Sequence, residues 1–132
     1  MLKSLLTYIE TNVAALDIDT NLFMEFIPTW ATADAVLMSV FTGSEDQRVT
    51  DRYEVGVAVT VRADQQATAY SWILAVHDVL RIRGAIALPL ITGEERYQIN
   101  SVSSAARPQR VGFDEKGRHV YSSNYVLACQ RI

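Results

Sequence analysis

Cysteine and histidine are scarce in this sequence. Its 132 residues include one cysteine, Cys129, and two histidines, His77 and His119. A single thiol cannot form an internal disulfide, so the composition fits a reducing compartment. Structural zinc requires about four cysteine or histidine ligands, and these three residues are too few and too scattered. The sequence therefore excludes a disulfide-stapled scaffold and a structural zinc domain, and we expect no metal site.

The chain also lacks a strong excess of charge and a long hydrophobic run. Its formal net charge is −3 and its pI is about 5.3, which gives no overall attraction to nucleic acid or to anionic membranes. Basic residues form small clusters, Arg81 with Arg83 and Arg107 with Arg110, and isolated arginine pairs are typical of solvated surfaces. The stretch Met1–Leu16 is too short and too polar to span a bilayer or to act as a secretory signal. We expect no membrane association, and a cytoplasmic location is the default.

Motifs for phosphate and calcium binding are missing as well. The sequence contains no GxGxxG and no GxxxxGK[ST], so it has no glycine-rich cradle for nucleotide phosphates. Asp17, Asp19 and Asn21 have the spacing of the first half of a calcium loop. Leu22 then stands where the turning glycine is needed, and Pro28 where the closing glutamate is needed. We predict an ordinary turn here, and no cofactor.

What the sequence does contain is typical of one globular domain. Hydrophobic residues make up 49% and charged residues 20%, and no repeat or low-complexity linker divides the chain. A chain of this length can bury a core of its own without disulfides. We therefore expect a single domain over residues 1–132. The aromatic residues Phe23, Phe26, Trp30 and Trp72 lie in or beside predicted elements, and we expect them to pack in the core.

The first half of the chain predicts one helix followed by three strands. Leucine, isoleucine and valine recur at helical spacing over Leu2–Leu16. Two apolar runs with β-favouring content, Leu22–Ile27 and Ala35–Phe41, predict strands, and the polar residues Thr42–Thr50 predict a loop. The clearest strand is Tyr53–Arg62, where valines alternate with small or polar residues at a period of two.

The second half predicts one further helix and two long strands. A helix is expected over Gln65–Arg83, with Asp64 as its N-cap. The apolar stretch Ala85–Ile91 reads as a short link, and Arg96–Ala106 and Arg118–Arg131 read as the strands of a long hairpin. The predicted fold is α+β in the order α-β-β-β-α-β-β, with both helices on one face of a mainly antiparallel sheet of about five strands.

The segment that joins the last two strands is the best candidate for an interaction surface. Hairpin loops usually have two to five residues, but Arg107–Gly117 is longer. It carries both signs of charge and includes the apolar residues Val111 and Phe113. It could be an arm that contacts a partner or simply a mobile hairpin, and the sequence does not decide between them. The predicted interface residues are Arg107, Arg110, Val111, Phe113, Asp114, Glu115 and Lys116, with Glu45, Asp46 and Arg48 of the earlier loop.

These elements together resemble the tail terminator and minor capsid (tail-completion) proteins of long-tailed bacteriophages. The likeness rests on the N-terminal amphipathic helix, the long strand Tyr53–Arg62, the helix Gln65–Arg83, and the charged turn 108–118 leading into the terminal strand Val120–Val126. The resemblance implies a virion structural protein without enzymatic activity, assembled in the host cytoplasm. It also implies a homo-oligomeric ring, commonly a hexamer, that caps the tail tube and joins it to the head–tail connector protein. DNA would be a partner only by passing through the ring.

Two alternatives stay open at this point. The nearest is a head-completion or connector subunit of the same virion. The other is a small-ligand-binding or enzymatic α+β domain, with His77, Asp78 and Tyr70 as its most testable residues. Neighbouring positions on a helix point about 100° apart, so His77 and Asp78 cannot form an acid–base pair with each other.

Overall fold

The structure is a computed structural model and describes residues 2–31, 34–45, 52–81, 84–93, 95–104 and 107–132. These residues form two helices and seven strands in one sheet. The elements are α1 (Leu2–Asn12), β1 (Leu22–Met24), β2 (Ala35–Glu45), β3 (Arg52–Ala63), α2 (Gln66–Leu80), β4 (Ile86–Ala87), β5 (Tyr97–Ser104), β6 (Gln109–Phe113) and β7 (His119–Arg131). The predicted α+β class and element order are confirmed, with β4 and β6 as additional short strands.

The sheet is built around the two long strands β3 and β7. Its order is β1-β2-β3-β7-β5-β4, and β6 pairs with β7 beside β5. Every pairing is antiparallel except that of β1 with β2. Because β5 covers β7 only from Tyr125 onward, β6 takes the remaining edge of β7 between His119 and Ser122. The sheet therefore matches the prediction of a mainly antiparallel arrangement.

The alternation seen in the sequence produces a two-sided sheet. Val57, Val59 and Val61 of β3 are fully buried on the helix-covered face. Thr60 and Ala58, between them, lie on the opposite face and are only partly buried. We call this opposite side the open face. Period-two patterning thus directs the apolar side chains to a single core.

Both helices pack on the same face of the sheet. In α2 the fully buried residues are Ala69, Ile73, Val76 and Leu80, a spacing that places them on one side of the helix. This side contacts β3 and β7, whereas α1 contacts β1, β2 and α2. The predicted placement of both helices is therefore confirmed.

The helix ends differ from the prediction. α1 ends at Asn12 instead of Leu16, and the side-chain Nδ2 of Asn12 donates a hydrogen bond to the Tyr8 carbonyl at 2.8 Å. The N-cap of α2 is Gln65, without a side-chain capping bond, instead of Asp64. The backbone N–H of Asp64 donates to Asp34 Oδ1 at 3.0 Å, which ties the end of β3 to the start of β2.

Three predicted loops or links contain strand. β2 continues through Glu45 into the predicted loop, β4 lies in the predicted link, and β6 lies in the predicted joining segment. The cause is tertiary in each case, because a long neighbouring strand offers an edge to pair with. Residues 46–50 of the predicted loop, and the predicted ends at Arg83 and Ala106, lie outside the described residues.

The calcium-like segment folds as a turn, as predicted. Asn21 Oδ1 accepts a hydrogen bond from the Asp17 N–H at 2.7 Å, and the Leu22 N–H donates to the Asp17 carbonyl at 3.1 Å. Asp19 adopts a positive φ of 65°, which Asp tolerates better than most residues. Within the described ranges, no group of three or more His, Cys, Asp or Glu residues could hold a metal ion.

Candidate assembly surface

The predicted interaction segment is a hairpin with a tight turn. The Asp114 N–H donates to the Arg118 carbonyl at 2.9 Å, and the Gly117 N–H donates to the Asp114 carbonyl at 3.0 Å. Gly117 has a φ of 75°, a conformation that glycine adopts without steric cost. The segment is therefore a short turn following strand β6, with Glu115, Lys116 and Gly117 exposed at its tip.

Asp114 organises this turn through its side chain. Its Oδ1 accepts hydrogen bonds from the N–H groups of Lys116, at 3.0 Å, and Arg118, at 2.9 Å. Its Oδ2 accepts a bond from Arg118 Nε at 2.6 Å. Partial desolvation raises the pKa of Asp114, but the hydrogen bonds from Arg118 and Lys116 outweigh it and leave that pKa below its usual value. The carboxylate predicted for partner contact is thus engaged within its own hairpin.

β6 and the start of β7 form a cluster, here called the β6 cluster, of exposed Arg110, Val111 and Phe113 with half-buried His119. The Arg110 guanidinium lies 4.8 Å from the centroid of the Phe113 ring, and that ring lies 4.8 Å from the His119 ring. Arg110 Nη2 is 3.3 Å from His119 Nδ1. Val111 and Phe113 remain 65% and 64% exposed. Three of the predicted interface residues are therefore brought together as one apolar and cationic surface.

The remaining predicted residues are more dispersed. Arg107 is exposed just before β6 begins. Glu45 is the last residue of β2, at the far side of the sheet from β6. Asp46 and Arg48 lie outside the described residues.

A second exposed apolar surface was not predicted from the sequence. We call it the β2 patch, and it surrounds the point where β1 ends beside β2. Phe26 and Trp30 are each 70% exposed, so the expectation that they pack in the core is wrong. Phe23 is buried as expected, and its ring contacts that of Trp30 at 5.9 Å. The patch consists of Met24, Phe26, Trp30, Val40 and Phe41.

The two exposed surfaces coincide with unpaired strand edges. β1 pairs with β2 only as far as Met38, so β2 from Ser39 to Glu45 has no described strand on its outer side. β6 pairs with β7 alone in the part of the chain that the structure describes. An open edge offers unpaired N–H and C=O groups to another chain. The geometry can therefore support strand addition at both sides of the sheet.

The residues of the alternative pocket are held apart. The Tyr70 ring lies against the Tyr121 ring in a tilted arrangement, with 5.7 Å between the ring centroids, in a groove lined by these two residues with Gln66 and Ala67. This groove contains neither a carboxylate nor an imidazole. His77 lies two turns further along α2 and is not among the residues that line it.

His77 instead ends a buried hydrogen-bond chain. Ser123 Oγ donates to the hydroxyl of Tyr125 at 2.9 Å, and that hydroxyl lies 2.7 Å from His77 Nδ1. The short contact between Tyr125 and His77 is a hydrogen bond whose donor depends on which ring nitrogen of His77 carries the proton. Desolvation and then the charge of Arg81 lower the pKa of His77, and burial raises the pKa of Tyr125. The chain fixes α2 to β7 and places no reactive group in the groove.

No helix within the described residues is long and apolar enough to cross a membrane.

No curated protein has a matching sequence. A chain in the virion of a native gene transfer agent particle shares the fold, with a TM-score of 0.57 and 14% identity over 98% of this chain and 96% of that chain. The sequence model described as bacteriophage tail terminator protein matches residues 8–131, nearly the whole length. The chain therefore belongs to the bacteriophage tail terminator family, and so to the structural proteins of the phage virion.

Proposed function

We propose that this protein forms a homo-oligomeric ring that caps the finished tail tube and joins it to the head–tail connector. The observation that carries this proposal is the pair of open edges, each with exposed apolar residues, on opposite sides of one sheet. A soluble monomer normally protects such edges with charges, proline or a covering element. Their exposure here fits a chain that is completed by its neighbours.

A ring follows from the position of the edges. Contacts between two different surfaces of the same chain are heterologous, and such contacts close into rings when the rotation between subunits allows it. A closed ring pairs these two open edges in every subunit and stops at a defined size. Both properties suit a part that must end a growing tube.

The chemistry of the open face fits a passage for DNA. The central residues of β3 and β7 on this face are small or polar and uncharged: Ala58, Thr60, Ser122 and Asn124. A surface of this kind makes few attractive contacts with phosphates, whose binding depends on lysine and arginine. DNA would be able to pass such a wall without being retained.

The test is the oligomeric state and its target. Light scattering and negative-stain imaging of the purified protein should show a ring, either alone or on added tail tubes. Co-sedimentation should show that the purified protein binds to tail tubes. A chain that stays monomeric at all concentrations and does not bind tail tubes would contradict the proposal. Rings that bind the connector but never the tube would indicate a head-completion role instead.

A further inference from the structure

We infer that neighbouring subunits join by antiparallel pairing of the open edge of β2 in one copy with β6 in the next. The occupant of each edge is a second copy of this chain, and the sheet continues across the boundary. This inference rests on the proposed ring and specifies the contact that builds it.

The strand directions support this pairing. β2 is antiparallel to β3, β3 is antiparallel to β7, and β7 is antiparallel to β6. β2 and β6 therefore run in opposite directions within one sheet. When a second copy continues the sheet with its helices on the same face, its β2 meets the first copy's β6 in antiparallel orientation. This geometry preserves the pairing that the rest of the sheet uses.

The lengths and the stagger also match. The open part of β2, residues 39–45, is long enough for all five residues of β6. Through the register, Thr42 of β2 lies level with Val126 of β7, whereas Gly112 of β6 lies level with Val120, and both belong to the open face. Pairing the two edges with the same face outward thus requires an even offset, of about six residues across the four strands β2, β3, β7 and β6. Closed eight-stranded barrels are offset by about one residue per strand, so this offset is compatible with a closed ring.

Each edge carries a bulge with an exposed apolar residue. The register shifts between Val40 and Thr42 in β2, and between Arg110 and Gly112 in β6. The extra residues are Phe41, 53% exposed, and Val111, 65% exposed. A bulge on an edge often protects it from unwanted pairing. Here the residue at each bulge is apolar and exposed, so it is available to pack against a partner strand.

The charges of the two edges are opposite. The stretch 39–45 contains one acidic residue, Glu45, and no basic residue. The stretch 107–113 contains two arginines, Arg107 and Arg110, and no acidic residue. In antiparallel pairing the arginine-bearing start of β6 lies beside the end of β2, where Glu45 stands. Complementary charges of this kind set register and exclude wrong partners.

Cysteine cross-linking tests which surfaces meet. A Val40→Cys/Val111→Cys double variant, treated with a short bismaleimide, should give a ladder of covalent multimers. Each single variant alone should give none, because a heterologous contact then contains only one new thiol. Buried Cys129 serves as the internal control, since its pKa of about 11 leaves it unreactive near neutral pH. Cross-linked dimers of either single variant would show a self-complementary contact and overturn the inference.

Lysine substitution tests the energetic role of β6. Val111→Lys should raise the concentration needed for half-assembly by about tenfold or more, since it would bury an unpaired charge in the contact. Leu90→Lys is the matched control, because Leu90 is also 65% exposed but belongs to neither of the two edges proposed to pair. Its assembly should equal that of the wild type, and both variants should keep the wild-type circular dichroism spectrum and thermal midpoint.

The outcomes separate the inference from the proposed function. If wild-type rings form and Val111→Lys assembles as well as Leu90→Lys, the β2–β6 contact is wrong and the ring stands. If the wild type forms no ring on its own or on tail tubes, the proposed function fails. If Val111→Lys assembles poorly, Leu90→Lys assembles normally and the double-cysteine variant gives the ladder, the proposed ring and the β2–β6 contact are both supported.

Discussion

At the scale of single residues, the polar groups in the core serve the fold. The chain from Ser123 through Tyr125 to His77 gives each buried oxygen a partner and links β7 to α2. A buried polar group without a partner costs about 1–3 kcal/mol of stability. This explains how a histidine that looks like a catalytic candidate in the sequence has a structural role in the folded chain.

Acidification should weaken the fold through His77. Its pKa is lowered in the native state, so between that value and the ordinary pKa of about 6.5 the unfolded chain binds more protons. The free energy of unfolding should therefore be fully retained above about pH 6.5 and should fall as the pH drops toward the lowered native value. Urea unfolding at pH 7.5 and pH 5.5 measures the change.

His77→Gln is the matched variant for this experiment. It should be less stable at pH 7.5 by about 1 kcal/mol, from the altered hydrogen bond to Tyr125. Its loss of stability on acidification should be smaller than that of the wild type. An equal loss in both proteins would assign the pH dependence to other groups.

Cys129 should be inert in the native protein. Its side chain is buried, and desolvation raises its pKa to about 11. Only the thiolate reacts with disulfide reagents or alkylating agents. Titration with a colour-forming disulfide reagent at pH 8 should detect no thiol in the folded protein and one thiol per chain in denaturant. Rapid reaction of the folded protein would show that β7 opens readily.

At the scale of elements, the Asp114 turn determines whether β6 stays on the sheet. The residues of β6 are nearly all exposed, so burial contributes little to holding the strand in place. The three hydrogen bonds that Asp114 accepts from Lys116 and Arg118 close the hairpin. A turn of this strength can hold a strand that lacks a hydrophobic face of its own.

Asp114→Ala should therefore release β6. We expect faster amide hydrogen exchange over Gln109–Phe113, while β3 remains protected by the core. Because the pKa of Asp114 is lowered, wild-type β6 should show the same loss of protection only when the pH falls through that lowered value. Glu115→Ala, at an exposed neighbouring position, is the control and should leave exchange unchanged. Equal exchange in both variants would mean that pairing with β7 alone holds the strand.

The elements that the sequence predicted well have a periodic hydrophobic pattern within their own residues. The alternating valines of β3 and the single apolar side of α2 define their partners locally, and both elements formed as expected. β6 has no such pattern, because it exists only through the free edge that β7 offers at residues 119–122. Pairing between distant segments is a tertiary effect, which single-sequence patterns do not contain.

The candidate surface was predicted on one side only. The length and charge of the segment 107–117 pointed to Arg110, Val111 and Phe113, which the structure groups on β6. Phe26 and Trp30 lie in or beside predicted elements, a position that predicts core packing, whereas the structure leaves both side chains exposed. Pro28 begins a turn between these two residues, closed by the hydrogen bond from the Ala31 N–H to the Pro28 carbonyl, and this turn carries their side chains out of the core.

At the scale of the whole molecule, net charge and surface distribution argue against tight DNA binding. The chain carries −3 overall, and the centre of the open face is uncharged at Ala58, Thr60, Ser122 and Asn124. Binding to DNA depends on several phosphate contacts from basic residues and weakens steeply with salt. In the proposed arrangement, Arg107 and Arg110 lie at the contact between subunits, where they face protein instead of DNA.

This arrangement predicts that the two arginines affect ring formation but not DNA binding. In an electrophoretic mobility-shift assay at about 0.15 M salt, assembled rings should not shift duplex DNA at micromolar concentrations. Arg107→Glu/Arg110→Glu should reduce ring formation, measured by light scattering, because like charges then meet Glu45 of the next copy. Lys116→Glu, a charge reversal of the same sign at the exposed turn, is the control and should assemble normally. Tight DNA binding that disappears in the double-arginine variant while its rings persist would assign these arginines to nucleic acid and remove them from the subunit contact.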